Sequence, residues 1–350
     1  MLRVQHQPMR RFARDVFEAA GSSAEEAGIV ADHLVDASLM GHDSHGIIRI
    51  SKYVDWVRAG HVLPNQHIQV ANDRGGLLVV DGRFGFGQVI GKEAMELAAD
   101  RAGAHGVATL ALRNSGHLGR IGAWAELLAR RGYASIHFVN TSGFGILVAP
   151  HGGSDRRLSA NPIAAGVAVP GRAPIILDIA TSVIAEGKIQ IARNKGEKLP
   201  PGTVLDGHGR PTTDAEAFYA DPPGAILPFG GHKGSGLSFF CEVLAGSLSG
   251  GFASNPQSPT AKRLVNNMLS LVFDPASFGG AEAFAEDIER LAAGVKSSPP
   301  IEAGGKVFLP GELEEQTRSD RELSGLAIDE ETWRQITAAA TSLGVDSPKV

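Results

Sequence analysis

Residues 85–91 read Gly-Phe-Gly-Gln-Val-Ile-Gly, and this stretch decides between two fold classes. Its three glycines lie between an apolar run at 77–80 and a helical pattern at 88–103, which resembles the fingerprint of a Rossmann fold. The details differ. The first glycine does not follow the run directly, the spacing is G-x-G-x-x-x-G, and no acidic residue ends the next predicted strand at Leu112. We therefore interpret the motif as structural and predict that the fold is not a Rossmann fold.

The sequence around this motif divides into a helical part and a mixed part. Before it, Ser23 and Glu26 form a capping box at the start of an apolar helical pattern. From 77 to 273, short apolar runs typical of strands alternate with helical patterns. The prolines and glycines of 200–223 indicate a long surface excursion. The segment 329–343 is helical again, so it could return to the N-terminal helices.

This order of elements predicts an α+β fold, in which a helical domain built from both termini carries an inserted domain with a mixed or antiparallel sheet. We expect residues 1–75 to form the first part of the helical domain and residues 76–305 to form the mixed α/β domain. Residues 306–350 are expected to return to the helical domain as a C-terminal segment. The predicted strands are 77–80, 107–112, 134–139, 163–169, 175–179 and 268–273.

Composition and charge exclude several functional classes. The formal net charge of −5 argues against a nucleic-acid partner or a membrane surface, since both need concentrated positive charge. No apolar run approaches the roughly 20 residues of a membrane helix. The start of the chain lacks the apolar core of a signal peptide, so a cytoplasmic protein is expected. The single cysteine, Cys241, excludes an internal disulfide, and its apolar helical surroundings predict a buried packing role.

The stretch Gly41–Ile50, GHDSHGIIRI, is a candidate for catalytic chemistry. If Asp43 or Ser44 caps the following helix, His45 and Arg49 lie four residues apart on one helical face. An imidazole that titrates near neutral pH would then stand beside a cation that can hold a carboxylate through two hydrogen bonds. This pair suits reduction of a 2-oxo acid. The alternative is a plain polar helix junction, and a metal site is poorly supported because no third ligand has a recognisable spacing.

Two glycine-rich segments could face a ligand. Asn114–Gly122 joins a predicted strand to a helix and places His117 between glycines, where helix amides point at a ligand. Leu227–Leu237 combines glycines, Lys233 and the start of an apolar helix, which is typical of an anion cradle. It is not a Walker A loop, because Gly234 follows the lysine. The alternatives are an exposed turn and a flexible loop without a ligand. Three shorter segments are equally consistent with plain turns or sites: 159–162, 178–182 and 309–312.

In this order, the segments GHDSHGIIRI, NSGHLGRIG, SANP, DIATS, GGHKGSGL and LPGE resemble the malate/L-lactate dehydrogenase family. The resemblance runs from about Gly21 to Leu343. It implies an NAD- or NADP-dependent oxidoreductase, a fold other than Rossmann, a homodimer, and hydride transfer between the cofactor and a 2-hydroxy acid/2-oxo acid pair. A cyclic imino acid reductase of the same family is one alternative, which Lys188 disfavours because those enzymes carry an acid there. A non-catalytic nucleotide-binding relative is the other.

The resemblance also implies roles for individual residues. Ser44, His45 and Arg49 would be the proton relay, the acid/base and the carboxylate clamp. His117 would lie near the nicotinamide as the fourth catalytic residue, and it competes with His45 for the acid/base role. No metal site is implied. The implied cofactor-binding residues are His45, Gly119, Arg120, Ile121, Ile176, Leu177, Asp178, Ile179, Ala180, His232, Lys233, Asn266, Leu309, Pro310, Gly311 and Glu312.

Overall fold

A computed structural model describes residues 2–255, 257–259 and 262–348 of the chain. The helices in these ranges are α1 (His6–Ala19), α2 (Ala24–Leu39), α3 (Arg49–Arg58), α4 (Gly87–His105), α5 (Gly122–Arg130), α6 (Glu186–Lys195), α7 (Ala215–Tyr219), α8 (His232–Cys241), α9 (Ala281–Lys296), α10 (Glu312–Ser324) and α11 (Glu330–Thr341). The strands are β1 (Leu2–Val4), β2 (Gln69–Asp73), β3 (Leu77–Asp81), β4 (Val107–Ser115), β5 (Ala134–Gly143), β6 (Ile146–Val148), β7 (Leu158–Ser159), β8 (Ile163–Val167), β9 (Ile175–Ile179), β10 (Val204–Leu205), β11 (Pro211–Thr212), β12 (Ala225–Ile226), β13 (Leu264–Phe273) and β14 (Leu326–Ile328). None of the described helices is long and apolar enough to span a bilayer.

The first core is built from both ends of the chain. Helices α1, α2, α3 and α11 share one buried cluster, in which Phe17 and Tyr53 are among the largest fully enclosed side chains. Strand β1 pairs antiparallel with β14, which joins the two ends directly. Only one half of the predicted capping box is confirmed: the Glu26 N–H donates to Ser23 Oγ over 3.2 Å, whereas the Ser23 N–H donates to Asn65 Oδ1 over 2.7 Å and not to Glu26. The prediction of a helical unit from both termini is therefore confirmed.

The second core surrounds a seven-stranded sheet of order β2-β3-β4-β13-β5-β8-β9. The β3–β4 pair is parallel, and each of the other neighbouring pairs is antiparallel. Helices α4 and α5 pack against this sheet through Ile90, Met95 and Trp124. A Rossmann fold needs a mostly parallel sheet with crossover helices. The prediction of a fold other than Rossmann is confirmed.

A second, smaller sheet is the main departure from the sequence prediction. Residues 200–223, expected as a surface excursion, contribute β10, β11 and α7 to a five-stranded sheet of order β11-β10-β12-β6-β7. Phe218 and Ile189 are fully buried in its core. Strands of two residues are too short to show an alternating pattern, so the turn-forming residues dominated the prediction. The domain boundaries predicted after residues 75 and 305 stay predictions.

The glycines of residues 85–91 provide close packing. A Cβ on Gly91 would come within 2.6 Å of the Trp124 ring, so this glycine lets α4 approach α5. A Cβ on Gly87 would come within 2.2 Å of the His117 carbonyl oxygen. Both distances are far shorter than a van der Waals contact. The contacts agree with a structural motif, and they place the start of α4 directly against the segment that carries His117.

Replacing Gly91 by alanine should weaken the fold. Overpacking against Trp124 should lower the free energy of unfolding by about 1–3 kcal/mol. Gly28 of α2 is the matched control: a Cβ there meets nothing within 4 Å, and alanine should raise the free energy of unfolding by about 0.5–1 kcal/mol. Urea unfolding measures both changes. A Gly91→Ala protein as stable as the Gly28→Ala protein would contradict the packing role of this motif.

Candidate active site

A cavity of about 910 Å³ lies between the helical core, the seven-stranded sheet and the smaller sheet. Its volume is near the upper end of the range of about 300–1,000 Å³ for small-molecule and cofactor sites. The four residues predicted to be catalytic, from two distant segments of the chain, all line it: Ser44, His45, Arg49 and His117. The cavity is also lined by six of the predicted cofactor residues: Gly119, Arg120, Ile121, Asp178, Ala180 and Asn266.

The turn before α3 differs from the prediction. Asp43–His45 forms a single 3-10 turn, and neither Asp43 nor Ser44 caps α3. Asp43 instead accepts two hydrogen bonds from the Arg321 guanidinium, at 2.5 and 3.0 Å, because a bidentate ion pair is stronger than a bond to one backbone amide. Arg49 Nε donates to the Ser44 carbonyl oxygen over 2.6 Å. This bond fixes the guanidinium of Arg49 against the turn that carries the first catalytic candidates.

His45 and His117 come from distant segments of the chain and meet in the wall of the cavity. Their rings stack with the centroids 5.4 Å apart and the planes 9° from parallel. Ser44 Oγ lies 3.0 Å from His45 Nδ1, and Tyr53 Oη lies 2.7 Å from His117 Nδ1. Neither Nε2 atom forms a hydrogen bond with the part of the chain that the structure describes. Both Nε2 atoms are therefore available to a ligand in the cavity.

Burial keeps both imidazoles neutral. Burial, with a further contribution from the Arg49 cation, lowers the pKa of His45 to about 3. The same two causes hold the pKa of His117 well below its ordinary value. The expectation that His45 titrates near neutral pH was wrong, because sequence spacing does not reveal how far a ring is desolvated. A neutral imidazole has one ring nitrogen that accepts a hydrogen bond or a proton and one that donates.

The segments predicted to bind a cofactor meet at one edge of the seven-stranded sheet. β9 is the last strand there, and the Ile176 N–H donates to the Pro310 carbonyl oxygen over 3.2 Å. Gly311 has a φ of +91°, and a Cβ on it would lie 3.3 Å from the backbone of Ile176. The Gly122 N–H donates to Asp178 Oδ2 over 2.8 Å, which ties β9 to the start of α5. Three segments far apart in sequence thus adjoin.

Comparison with known proteins agrees with this arrangement. The family model described as malate/L-lactate dehydrogenase matches residues 4–337. The chain belongs to the malate/L-lactate dehydrogenase family. It is 40% identical to hydroxycarboxylate dehydrogenase B of Escherichia coli K12, over 98% of this chain and 95% of that one. It is 37% identical to the L-lactate dehydrogenase of Cupriavidus necator, over 97% of each chain. The solved structure of malate dehydrogenase from Pyrococcus horikoshii superposes with a TM-score of 0.88 at 32% identity, covering 99% of this chain and 97% of that one.

In this dehydrogenase, Arg120 and Asn266 are held by other protein groups. The Arg120 guanidinium is buried against the Glu126 carboxylate at 2.5 Å, and its backbone N–H donates to His33 Nε2 over 3.0 Å. Asn266 Oδ1 accepts the Leu118 N–H at 2.8 Å. Both residues therefore form a fixed wall of the cavity.

Other predicted cofactor residues lie outside the cavity of the dehydrogenase. His232 and Lys233 begin α8, and both are exposed. The Phe229 N–H donates to the Thr181 carbonyl oxygen over 3.0 Å, so the loop before α8 adjoins the end of the β9 segment. Ile176 and Gly311 line a small neighbouring pocket. The remaining five line neither: Leu177, Ile179, Leu309, Pro310 and Glu312.

Two residues that support His117 were missed from the sequence. Gln88 Nε2 donates to Tyr53 Oη over 2.9 Å and to the His117 carbonyl oxygen over 3.2 Å. Tyr53 lies four residues after Arg49 on α3, so helical spacing could have shown that it faces the site. Gln88 belongs to α4, and no sequence signal connects it with His117.

Proposed function

We propose that this dehydrogenase transfers a hydride between a nicotinamide cofactor, NAD or NADP, and a 2-hydroxy acid/2-oxo acid pair. The observation that carries the proposal is the pair of stacked, neutral imidazoles of His45 and His117 in one cavity with Arg49. His45, assisted by Ser44, exchanges a proton with the substrate oxygen. His117 binds that oxygen near the nicotinamide. When bound, the nicotinamide supplies or accepts the hydride.

Arg49 is suited to hold the substrate carboxylate. Its Nε is already bonded to the Ser44 carbonyl oxygen, so the orientation of the guanidinium is fixed. The two terminal nitrogens form no hydrogen bond with the described residues, and the side chain lines the cavity. A planar guanidinium with two free N–H edges matches a carboxylate in a bidentate arrangement.

The residues around the cavity fit a nicotinamide cofactor. Gly119 has a φ of +72° and lines the cavity, and a Cβ on it would collide with the ring of His33, so this glycine lets its loop pack against His33. We propose that this loop, Asp178, Ala180 and Asn266 hold the nicotinamide end. Lys233, near the N-terminus of α8, suits a phosphate. The rest of the dinucleotide would then contact the remaining predicted residues: His45, Arg120, Ile121, Ile176, Leu177, Ile179, His232, Leu309, Pro310, Gly311 and Glu312. Such a cofactor is regenerated inside cells, so we propose a cytoplasmic location.

The proposal is tested by following the absorbance of NADH and NADPH with a panel of 2-oxo acids and cyclic imino acids. The names of the hydroxycarboxylate, L-lactate and malate dehydrogenases to which the chain is similar support the acid class. We expect oxidation of reduced cofactor with at least one 2-oxo acid, and at least about tenfold lower kcat/KM with the imines. Turnover of imines alone would show an imino acid reductase. Cofactor binding without any turnover would show a non-catalytic relative.

Substituting Arg49 by lysine should remove the bidentate clamp. The loss of a charge-assisted pair should cost about 2–4 kcal/mol of transition-state binding, or roughly 30- to 1,000-fold in kcat/KM. Arg58→Lys is the matched control, because Arg58 lies on the same helix and bonds Ser342 outside the cavity. Steady-state kinetics of both variants decide the point. Wild-type kcat/KM for Arg49→Lys would end the clamp assignment.

The pH dependence follows from the lowered pKa of His45. Burial holds that pKa at about 3, so the neutral base is fully present at higher pH. Because kcat/KM reports the free enzyme, kcat/KM for oxidation should be flat with respect to this group between about pH 5 and 8. Reduction needs the charged ring, so its kcat/KM should fall about tenfold per pH unit. The pH dependences of kcat/KM for reduction and for oxidation therefore differ by a factor of about ten per pH unit, because reduction consumes one proton.

The same profiles of His45→Ala give a second check. Turnover should fall by roughly 10²–10⁴-fold in both directions. The rate of oxidation should then rise with pH, because hydroxide must replace the base, and the rate of reduction should no longer fall with pH. His208→Ala, in an exposed loop, should leave both profiles unchanged. A wild-type oxidation rate that rises through an ionisation near pH 6.5, the usual value for histidine, would contradict the assignment. The assignment of His45 would also be contradicted if His45→Ala kept the wild-type pH profiles and His117→Ala lost them.

We propose that the protein is a homodimer, formed through the apolar face of α8 and the π-helical turn Glu242–Ser247 that continues it. Phe239 and Phe240 are each 58% exposed, and Leu248 is 64% exposed. Water-exposed aromatic side chains grouped on one helix are typical of an interface. Burial against a second copy would remove this apolar area from water.

Sedimentation velocity tests the interface. Phe240→Asp should convert the dimer into monomers, because a charge would be buried opposite an apolar surface. Leu323→Asp is the control, since Leu323 is also strongly exposed but lies on α10. A monomeric wild-type protein would contradict the dimer, and a Phe240→Asp protein that stays dimeric would contradict the proposed face.

A further inference from the structure

The two stacked histidines each contact a hydroxyl group, but the two hydroxyls have different freedom. Tyr53 Oη has a second hydrogen-bond partner in Gln88, whereas Ser44 Oγ has only His45 as a partner in the described chain. This difference bears on which histidine can change its protonation state.

The direction of the hydrogen bonds at Tyr53 follows from the amide of Gln88. One terminal atom of that amide lies 2.9 Å from Tyr53 Oη and 3.2 Å from the His117 carbonyl oxygen. A carbonyl oxygen only accepts, so this atom must be the amide nitrogen. The nitrogen therefore donates to Tyr53 Oη. The proton of Tyr53 is left to point at His117 Nδ1, 2.7 Å away.

A neutral imidazole that accepts at Nδ1 carries its proton on Nε2. In the opposite arrangement, Nδ1–H would donate to Tyr53 Oη, and the tyrosine proton would have no acceptor among the residues that the structure describes. Tyr53 is only 2% exposed, so water could not satisfy that proton. Its ring is also packed against Phe17 and Phe86, which prevents the hydroxyl from moving away.

Ser44 places no such restriction on His45. Its hydroxyl can donate to Nδ1 when the ring proton is on Nε2. The same hydroxyl can accept from Nδ1 when the ring is charged, or when Nε2 is bare. The 3.0 Å contact is preserved in every case, so His45 can cycle through its protonation states without losing a hydrogen bond.

We propose that Tyr53 is a positioning residue that locks His117 in the Nε2-protonated form, so that His117 is a fixed hydrogen-bond donor and only His45 transfers the proton. Gln88 supports this lock because it offers the Tyr53 hydroxyl a donor and no rival acceptor. This division rests on the proposed function. During reduction, C2 of the 2-oxo acid gains the hydride and the π pair of its carbonyl moves to oxygen. That oxygen takes a proton from Nε2 of the charged His45, which becomes neutral and later regains a proton from solvent. His117 keeps its proton and stabilises the developing negative charge. Oxidation reverses each step.

The tautomer can be read directly by NMR of the full-length protein. With ¹⁵N-labelled histidine, long-range ¹H–¹⁵N correlations separate a protonated ring nitrogen from a bare one, and the signals missing in His117→Gln identify the residue. We expect His117 to carry its proton on Nε2. A proton on Nδ1 would overturn the proposal. Because this measurement needs no turnover, its outcome is independent of whether the panel of acids shows the proposed reaction.

Two substitutions at one position test the cause. Gln88→Met removes the amide donor but leaves Tyr53 free to donate, so the tautomer of His117 should be retained and kcat should stay within about tenfold of wild type. Gln88→Glu offers an acceptor for the Tyr53 proton once its carboxyl group is ionised, so Nδ1 should then become the donor to Oη. Position 88 is fully buried, which raises the pKa of a carboxyl group there, so the spectra are followed to the highest pH at which the protein stays folded. The reversed tautomer removes the Nε2–H donor, and kcat should fall roughly 10²–10³-fold.

An unchanged tautomer in folded Gln88→Glu with its carboxyl group ionised would overturn the direction assigned to these bonds. If that variant does not fold, Tyr53→Phe replaces it, since phenylalanine keeps the ring among its apolar neighbours. Release of the lock should then give a mixture of tautomers for His117, and a pure Nε2–H form would overturn the role of Tyr53.

Discussion

The hydrogen bond between Tyr53 and His117 joins the two cores between which the site is built. Tyr53 belongs to the helical core formed by both chain ends, and His117 follows the end of β4 in the seven-stranded sheet. The bond is short, buried on the tyrosine side and supported by Gln88. Because a buried hydroxyl without a partner is unfavourable, the two cores have one preferred arrangement. That arrangement places the ring of His117 on the ring of His45.

Close backbone packing makes this contact possible. Gly87 allows the start of α4 to touch the carbonyl group of His117, and the next residue, Gln88, then reaches both that carbonyl and Tyr53. The glycine-rich stretch that resembled a dinucleotide fingerprint thus acts through the position of a catalytic candidate. Gly187 has a similar effect on the other side, since a Cβ there would lie 2.6 Å from the Cβ of Ser44.

Much of the fold could be predicted because local patterns specify it. The N-cap at Ser23 and the apolar run of β9 each depend on neighbours within a few residues. The small sheet could not be predicted, because its two-residue strands β10 and β11 are determined by pairing with distant segments. Asp43 was misread for the same reason. Its partner, Arg321, is 278 positions away and outcompetes the local cap.

The candidate site shows the same limit at the level of single groups. Residue types and their order located Ser44, His45, Arg49 and His117, and the structure brings all four to one cavity. The sequence could not predict how deeply these side chains are buried or which distant residues form hydrogen bonds with them. The pKa of His45 depends on its burial and on the charge of Arg49, and the surroundings of His117 include Gln88, which no spacing connects to it.

The roles of Arg49 and the two histidines are tested most directly by a crystal structure of the protein with its nicotinamide cofactor and oxamate, an unreactive analogue of a 2-oxo acid. We expect the carboxylate of oxamate to bind the two terminal nitrogens of Arg49. The oxygen that corresponds to the reacting carbonyl should lie within hydrogen-bond distance of Nε2 of both His45 and His117. A carboxylate bound away from Arg49, or a reacting oxygen that contacts neither imidazole, would contradict the roles assigned to these residues.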